Sequence, residues 1–295
     1  MQSSHSTGLV AAVIAFLTWG LYPLFFKLLS SVAPIEILAH RVLWSCLILA
    51  VGFLLTLGPR ASLRAFGNRR NIGIAVVSAS LISVNWFCFI YAVTNDQILE
   101  ASLGYFLIPV VNALFGALFL GEALNVAKRL AVAVAFSGIA VVFLISGAVP
   151  VIALSIALSF GSYGMVRKLS PLDSPTGLFL ETLLLGPAAL GYIALFGVPL
   201  GAQPAPITVL LMLAGVMTLI PLLSMVIAAR RLEYATLGFL QYLTPVTQFA
   251  IAVGFYDEPI TLERLIAFGT VMLAVPVFLY GSLSEQRLTV APTPN

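Results

Sequence analysis

Long runs of apolar residues recur along the whole chain, and polar residues are concentrated in the short stretches between them. Each run is about 20 residues long, which is the length a helix needs to cross about 30 Å of hydrocarbon. The runs are continuously apolar, whereas the strands of a membrane barrel would alternate apolar and polar positions. We therefore expect an all-α integral membrane protein with ten transmembrane helices, at roughly 8–30, 33–57, 71–93, 99–121, 124–146, 148–167, 175–197, 205–228, 232–256 and 260–281.

The fourth run contains LGYFLIPVVNALFGALFLGE, and a degraded copy of it, FLQYLTPVTQFAIAVGFYDE, returns at 239–258. An offset of 136 residues aligns Pro109 with Pro245 and Glu122 with Glu258. Proline and acidic residues are rare in apolar runs, so their shared spacing indicates an internal repeat. The same offset aligns Leu107/Leu243, Val110/Val246, Phe119/Phe255, Asn112/Gln248 and Lys128/Arg264.

A second set of matches joins the first and sixth runs at an offset of 141 residues. Each unit then holds five helices, and an odd number makes the two units cross the membrane in opposite senses. We predict two inverted five-helix repeats around a central cavity, at 1–147 and 148–283, with a cytoplasmic tail at 284–295. The matches at this offset are Gly20/Gly161, Tyr22/Tyr163, Lys27/Lys168, Leu28/Leu169 and Pro34/Pro175.

Composition supports a membrane location, since 61% of the residues are hydrophobic and only 8% are charged. Soluble proteins carry about 25% charged residues. The basic residues are also unevenly distributed, because only Lys27, Arg41 and Arg264 of the 14 fall near the outer face if the N-terminus is cytoplasmic. The positive-inside rule then predicts that both termini are cytoplasmic. The inner set is Arg60, Arg64, Arg69, Arg70, Lys128, Arg129, Arg167, Lys168, Arg230, Arg231 and Arg287.

Several function classes lack support in the sequence. It contains no P-loop, HExxH or GxSxG motif, and its two histidines offer little acid–base machinery for an enzyme. Cys46 and Cys88 lie inside apolar runs without a metal-ligand pattern, so we expect packing residues and neither a metal site nor a cofactor. No basic face favours nucleic acid. The first run is long enough to span, so we expect it to remain as the first helix.

Four stretches resemble a known family: WGLYPLFFK, EILAHRVLWS, and the two copies of the repeat described above. They are similar to EamA-type proteins of the drug/metabolite transporter superfamily, in particular the RarD branch, and to YddG-like amino-acid exporters. The resemblance covers both halves and implies a ten-helix carrier of the bacterial inner membrane that exports amino acids or other small metabolites. The chain departs from the family's usual Gly-Glu at the end of the ninth helix, where it has Asp257 and Glu258.

Aromatic residues at mid-depth suggest the wall of a cavity. Trp19 and Trp44 lie about eleven residues into their runs, whereas tryptophan usually collects at the membrane interface. Packing against lipid or a neighbouring helix is the alternative for each. The candidate substrate-binding aromatics are Trp19, Tyr22, Trp44, Tyr105, Tyr163 and Tyr242, and the aromatics expected at the interface are Trp86, Tyr91, Tyr192, Tyr256 and Tyr280.

Ionisable residues inside runs are candidates for function because burial in a membrane makes them costly. Arg41 is close enough to Glu36 to share its charge, and snorkelling of its side chain to the interface is the alternative. His40 corresponds to Glu181 at the 141-residue offset. We predict that His40 and Glu181 form a proton relay or bind the charged groups of a substrate, unless Glu181 is simply solvated at the cytoplasmic end.

Pro109 and Pro245 should bend the fourth and ninth helices. The carbonyl groups that lose their hydrogen bonds could face a water-filled cavity, or the bends could serve only the packing of the helices. Glu122 and Glu258 end these helices, and we expect each to accept hydrogen bonds at the N-terminus of the following helix. The polar neighbours that would face the cavity are Asn112, Gln241, Thr244, Thr247 and Gln248.

Together these features predict an exporter of aromatic and other neutral amino acids that works by alternating access, as a facilitator or a secondary carrier. The partners expected are the amino-acid substrate and the bilayer, and the oligomeric state stays open. Multidrug or toxic-cation efflux is a competing hypothesis, which would need a deep acidic residue, and here only Glu181 qualifies. The sequence also leaves open a channel-like pore and an intramembrane enzyme.

Overall fold

The computed structural model describes residues 2–56, 69–147, 149–172, 174–199 and 202–290, and the regular elements within these ranges are all helices. Most of them follow the apolar runs, since an unbroken apolar segment satisfies its backbone polar groups internally by forming a helix. They are α1 (Gln2–Lys27), α2 (Pro34–Thr56), α3 (Arg69–Thr94), α4 (Ile98–Leu120), α5 (Val126–Ser146), α6 (Val151–Lys168), α7 (Ser174–Leu195), α8 (Ala205–Ala229), α9 (Tyr234–Leu240), α10 (Leu243–Gly254) and α11 (Leu262–Val290).

Eight of these helices, α1 to α5, α7, α8 and α11, are long and apolar enough to cross a membrane. Their outward faces carry large apolar side chains, and the exposed fractions of Leu54, Leu144 and Leu273 are 59%, 78% and 68%. Water disfavours so much exposed apolar surface, whereas hydrocarbon accommodates it. The prediction of an all-helical, multi-pass membrane protein is therefore confirmed at this level.

The ninth predicted span, 232–256, is two helices in the structure, α9 and α10, with a turn at Gln241 and Tyr242. Pro245 has no N–H to donate to the carbonyl of Gln241, and the Thr244 N–H occupies that carbonyl instead, at 3.2 Å. This tighter bond interrupts the regular helix. Pro109, the repeat equivalent of Pro245, lies inside the unbroken helix α4.

Two other boundaries differ from the prediction. The final helix α11 continues to Val290, past the predicted start of the tail at 284, while residues 291–295 lie outside the described ranges. The sixth span, predicted at 148–167, is the 18-residue helix α6 at Val151–Lys168. The helices otherwise begin and end within several residues of the predicted limits.

Helix contacts follow a paired pattern. Helix α4 packs on α6 and α1 packs on α10, while α3 packs on α6 and α1 packs on α8. In the predicted repeat, α1 to α5 correspond in order to α6, α7, α8, the pair α9–α10, and α11. The contacts of α4 with α6 and of α1 with α10 are then equivalent, as are those of α3 with α6 and of α1 with α8. The remaining strong contacts include α5 with α11, α2 with α7 and α4 with α10, each of which joins a helix to its counterpart in the predicted repeat.

Glycines allow the closest of these approaches. A Cβ atom added to Gly20 of α1 would lie 2.7 Å from the Cβ of Thr247 on α10, and one added to Gly161 of α6 would lie 2.7 Å from Cγ1 of Val111 on α4. Gly20 and Gly161 are equivalent at the offset of 141, and Val111 and Thr247 are equivalent at the offset of 136. The two halves therefore make the same glycine-dependent contact with each other.

Successive spans run antiparallel when α9 and α10 are counted together as one span, and this defines two faces of the molecule. We call the N-terminal face the one at which α1, α3, α5, α7 and α9 begin, and the far face the one at which α2, α4, α6, α8 and α11 begin.

Candidate functional site

A central pocket of about 340 Å³ lies between the two halves of the chain. Its walls are mainly aromatic and aliphatic, with a few polar side chains, which is the composition usual for a small-molecule site. Both halves contribute, since the lining comes from helices α1 to α4, α6 to α8 and the α9–α10 region. The lining residues are Phe16, Trp19, Tyr22, Arg41, Ile82, Asn85, Trp86, Phe89, Tyr105, Ile108, Phe160, Tyr163, Arg167, Leu178, Thr218, Leu222, Met225, Val226, Ala229, Gln241, Thr244 and Pro245.

The pocket extends toward the N-terminal face and is closed toward the far face. Ala229 is the last residue of α8 and Arg167 is the penultimate residue of α6, so the lining reaches the N-terminal ends of the bundle. In the other direction, side chains without solvent exposure lie at the far-face ends of α1 to α4. These are Phe26, Leu29, Ile37, Val93 and Ile98.

Arg41 occupies the deep end of the pocket. Its side chain is only 3% exposed, and its Nε donates a hydrogen bond to Oγ1 of Thr218 at 2.9 Å. Its guanidinium carbon lies 4.2 Å from the centre of the Trp86 ring and 5.5 Å from that of Tyr22. The side chain therefore runs among buried rings and does not snorkel to the membrane surface.

Glu36 does not share the charge of Arg41, contrary to the expectation from their spacing. Its Oε1 instead accepts the Val198 N–H at 3.2 Å and the Gln203 side-chain N–H at 3.4 Å. Glu36 thus links the start of α2 by hydrogen bonds to the segment between α7 and α8. Within the described ranges, no acidic side chain forms an ion pair with Arg41.

Glu181 lies beside the opposite end of the pocket, behind Arg167 and Tyr163. It is completely buried, and its carboxylate accepts hydrogen bonds from Oγ of Ser78 at 2.7 Å and from Oη of Tyr163 at 3.3 Å. Nη1 of Arg167 lies 3.7 Å from the same carboxylate. The guanidinium of Arg167 also lies against Gly177, where a side chain would collide with it. Glu181 is therefore a compensated acid and is not solvated.

The structure brings many of the predicted site residues to the central pocket and places others elsewhere. The predicted residues that line it are Trp19, Tyr22, Arg41, Tyr105, Tyr163, Gln241, Thr244 and Pro245. A second cavity, of about 700 Å³, opens beside α4, α6 and α11 near the N-terminal face and shares Gln241 with the first. It contains the predicted residues Pro109, Asn112 and Glu122.

His40 and Trp44 are on α2 but outside the linings of both cavities. His40 is buried, and its Nε2 has no hydrogen-bond partner among the described residues. Trp44 packs on α8, where a Cβ atom added to Gly215 would lie 2.5 Å from the Cβ of Trp44. No hydrogen bond or ion pair joins His40 to Glu181 within the described ranges, and the partners of Glu181 are Ser78, Tyr163 and Arg167.

Tyr242 and Gln248 also lie outside both linings, at contacts between helices. The ring of Tyr242 is 6.1 Å from that of Phe106 on α4. The side-chain N–H of Gln248 donates to the carbonyl of Trp19 at 3.2 Å. Their predicted part in substrate binding remains a prediction.

Sequence reasoning placed Trp86 at the membrane interface, which is wrong, because it is 7% exposed and stacks on Arg41 in the pocket. It also missed Asn85, Phe89 and Thr218. Asn85 could have been suspected, since an amide within an apolar run needs a buried partner, and its Nδ2 donates to the Ile156 carbonyl at 3.1 Å. Thr218 carried no comparable signal.

The two repeat glutamates have different partners. Glu258 accepts the backbone N–H groups of Ile98 at 2.6 Å and Leu99 at 3.0 Å, so it caps the N-terminus of α4. The prediction that Glu258 caps the helix that follows it, α11, is wrong, because α4 comes earlier in the chain. Glu122 is also not the cap of the following helix, because it pairs with Lys168 at 2.6 Å while Asn125 caps α5.

Comparison with known proteins agrees with this architecture. The model of the EamA-like transporter family matches residues 6–144. An uncharacterized transporter of Vibrio cholerae is 39% identical over 286 residues, covering 96% of this chain and 95% of that protein. Protein RarD of Salmonella typhimurium is 40% identical over 286 residues, covering 95% and 97% respectively.

A crystal structure of a protein with 21% sequence identity matches the fold with a TM-score of 0.59, covering 93% of this chain and 97% of that one. The identity with the relatives extends over nearly the whole length and therefore includes both halves. The chain thus belongs to the EamA-like transporter family, in its RarD branch, and is a multi-pass membrane transporter.

Proposed function

We propose that this protein exports amino acids, aromatic and other neutral ones, from the bacterial cytoplasm across the inner membrane. The observation that carries the proposal is the central pocket, which both halves line with aromatic rings and which extends to one face only. A transporter needs a solute-sized site between two elements that can expose it to either side in turn. The pocket volume lies within the range of about 300–1,000 Å³ that is usual for small ligands.

The alternating-access mechanism rests on an inverted repeat of two five-helix units. The equivalent contacts of Gly20 with Thr247 and of Gly161 with Val111 support this relation. The contacts of α2, α4 and α5 with their own counterparts α7, α10 and α11 support it as well, because a pseudo-two-fold axis brings such pairs together. Rocking of one unit against the other would then open the far face as the N-terminal face closes.

The distribution of basic residues favours a cytoplasmic location for the N-terminal face and both termini. In that orientation the pocket faces the cytoplasm in this structure, which is the state in which an exporter takes up its solute.

The charges around the pocket argue against efflux of lipophilic cations. Such a solute requires an uncompensated acid, whereas Glu181 is already paired with Arg167. The buried layer beyond the pocket argues against a continuously open pore. A facilitator needs no coupling group, so an imposed pH gradient should not drive accumulation by the unmodified chain, and transport by Glu181→Gln under the same gradient should be unchanged.

Counterflow in proteoliposomes tests the proposal directly. Vesicles loaded with unlabelled phenylalanine should accumulate external labelled phenylalanine with saturable kinetics, and empty liposomes should not. Saturable exchange of ethidium but not of any amino acid would favour cation efflux. Robust ion currents without exchange would favour a channel.

A further inference from the structure

The charges that border the central pocket do not cancel. Arg167 lies 3.7 Å from Glu181, so these two compensate each other at the end nearest the N-terminal face. At the deep end, Arg41 forms no ion pair within the described part of the chain, and Glu36 is bonded to Val198 and Gln203. The pocket therefore contains one uncompensated positive charge at a site that is 3% exposed.

A buried, unpaired guanidinium is costly in the absence of a ligand. Burial of an ion in a low-dielectric environment costs several kcal/mol unless a counter-ion or hydrogen bonds compensate it. The bond to Thr218 and the stacking on Trp86 and Tyr22 compensate part of the cost, but they supply no negative charge. A solute that brings an anion would supply what the site lacks.

The geometry of Arg41 also suits such a solute. A guanidinium has five N–H donors, and the hydrogen bond from Nε to Thr218 uses one of them. Trp86 covers one face of the group at 4.2 Å, which fixes its plane. The terminal nitrogens have no acceptor among the described residues, so their N–H groups remain for a planar ligand that accepts two parallel bonds, as a carboxylate does.

From the deep end toward the N-terminal face, the pocket is lined mainly by rings and aliphatic groups, including Trp19, Phe89, Tyr105 and Phe160. The one carboxylate beside this part of the pocket among the described residues, Glu181, is occupied by Arg167, Ser78 and Tyr163. The site thus offers Arg41 as a partner for a negative group and apolar walls for the rest of the solute. It offers no comparable partner for an ammonium group.

We propose that Arg41 anchors the carboxylate of the transported solute, so that the pocket selects molecules with one free carboxylate and an apolar or aromatic body, whether or not they carry an ammonium group. This inference rests on the proposed function and narrows its substrate class. Aromatic amino acids satisfy the requirement through their carboxylate. Aromatic carboxylic acids without an amino group satisfy it equally, whereas amines and amides of the same shape do not.

Binding to the purified full-length protein tests the anchor separately from transport. The probes are phenylalanine, 3-phenylpropionate, phenethylamine and phenylalanine amide, and the measurement is the ligand-dependent rise in melting temperature. Phenylalanine and 3-phenylpropionate should stabilise the protein, and the amine and the amide should not. This arm uses the unmodified chain and so does not depend on any variant folding.

The second arm uses Arg41→Gln, with Arg129→Gln as the matched control. Arg129 is exposed, and its side chain bonds to the nearby Leu124 carbonyl and to no other residue among those the structure describes. Arg41→Gln should weaken binding of both acids by about 30-fold or more, because loss of a buried charged partner costs about 2 kcal/mol at least. Arg41→Lys should restore part of the affinity, since it returns the charge without the planar fork. Arg129→Gln should bind like the unmodified chain.

The inference is overturned if phenethylamine or the amide stabilises the protein as much as the acids do, if none of the probes binds, or if Arg41→Gln retains full affinity for the acids. Failure of the proposed function gives a different result. In that case the two acids bind through Arg41, but no labelled amino acid exchanges in counterflow.

Discussion

The two faces of the molecule carry the same residue types at repeat-equivalent positions, yet their environments differ. At the far face, Lys27 pairs with Asp96 and donates to the Val93 carbonyl at 3.3 Å, while Glu258 is 5% exposed and caps α4. At the N-terminal face, the equivalents Lys168 and Glu122 pair with each other, with 62% and 51% of their side chains exposed. The contacts of Glu258 at the far face are buried, whereas Glu122 and Lys168 at the N-terminal face border a cavity of about 700 Å³.

This difference shows where the molecule is sealed. The far face is closed by an apolar layer and by charged groups bonded to backbone of another helix, whereas the N-terminal face has only an exposed ion pair at the equivalent positions. Exposed ion pairs contribute little to stability, and buried charges bonded to backbone N–H groups contribute more. In the proposed inverted repeat, a state open to the far face would have the exposed ion pair at that face and the buried contacts at the N-terminal face. In the state described here, variants at equivalent positions should therefore change the free energy of unfolding unequally.

The largest effect should come from Glu258→Ala. It leaves the N–H groups of Ile98 and Leu99 without their acceptor at a buried helix terminus. We expect a loss of about 3 kcal/mol in the free energy of unfolding, from two unsatisfied buried donors. Thermal unfolding in detergent measures it.

Glu258→Gln is the graded control, because its amide oxygen still accepts a hydrogen bond, and it should recover part of the loss. Asp257→Asn, at the exposed neighbouring position, should have almost no effect. Equal melting temperatures for the unmodified chain and Glu258→Ala would mean that the cap does not hold the far face closed.

An intermediate effect is expected where the two halves make their equivalent glycine contact. Gly161→Ala brings a Cβ to 2.7 Å from Cγ1 of Val111, and Gly20→Ala brings one to 2.7 Å from Cβ of Thr247. Overpacking of this kind costs about 1–3 kcal/mol, so both variants should have lower melting temperatures.

The rescues of these two variants should differ. Val111→Ala removes the clashing methyl group and should rescue Gly161→Ala, whereas Thr247→Ala keeps the clashing Cβ and should not rescue Gly20→Ala. A rescue of both variants to the same extent would contradict the contact geometry.

The smallest effect should come from Glu122→Gln, the counterpart of the far-face variant. Its partner Lys168 is mostly exposed, so the loss of this ion pair should change the free energy of unfolding by less than about 1 kcal/mol. The same thermal unfolding assay applies. A loss as large as that of Glu258→Ala would show that the N-terminal face is held as firmly as the far face.

Much of the fold could be predicted because apolar runs of membrane-spanning length have few alternatives to helices. The repeat was visible in Pro109/Pro245 and Glu122/Glu258, although Pro245 breaks its helix and Pro109 does not, which depends on tertiary context. The aromatic pocket was partly predicted through Trp19, Tyr22, Tyr105 and Tyr163.

The partners of charged groups were harder to predict. Glu36 and Arg41 are neighbours along one helix, but each bonds to a residue more than 150 positions away. The position of Trp86 along its helix predicts an interface residue, whereas its stacking on Arg41 depends on how α2 packs on α3. Spacing within one helix does not determine contacts between helices, so these features required the structure.

The central claim is that solute crosses by alternate opening of the two faces, and a cross-link across the far face tests it most directly. In a chain with Cys46→Ala and Cys88→Ala, the substitutions Lys27→Cys and Tyr256→Cys place one thiol on each half of the chain, at the far face, where Nζ of Lys27 lies 5.6 Å from the centre of the Tyr256 ring in this structure. Bridging them with a reducible methanethiosulfonate reagent should stop phenylalanine counterflow, and reduction should restore it to the rate before bridging. Counterflow that continues unchanged in fully cross-linked protein would contradict the account.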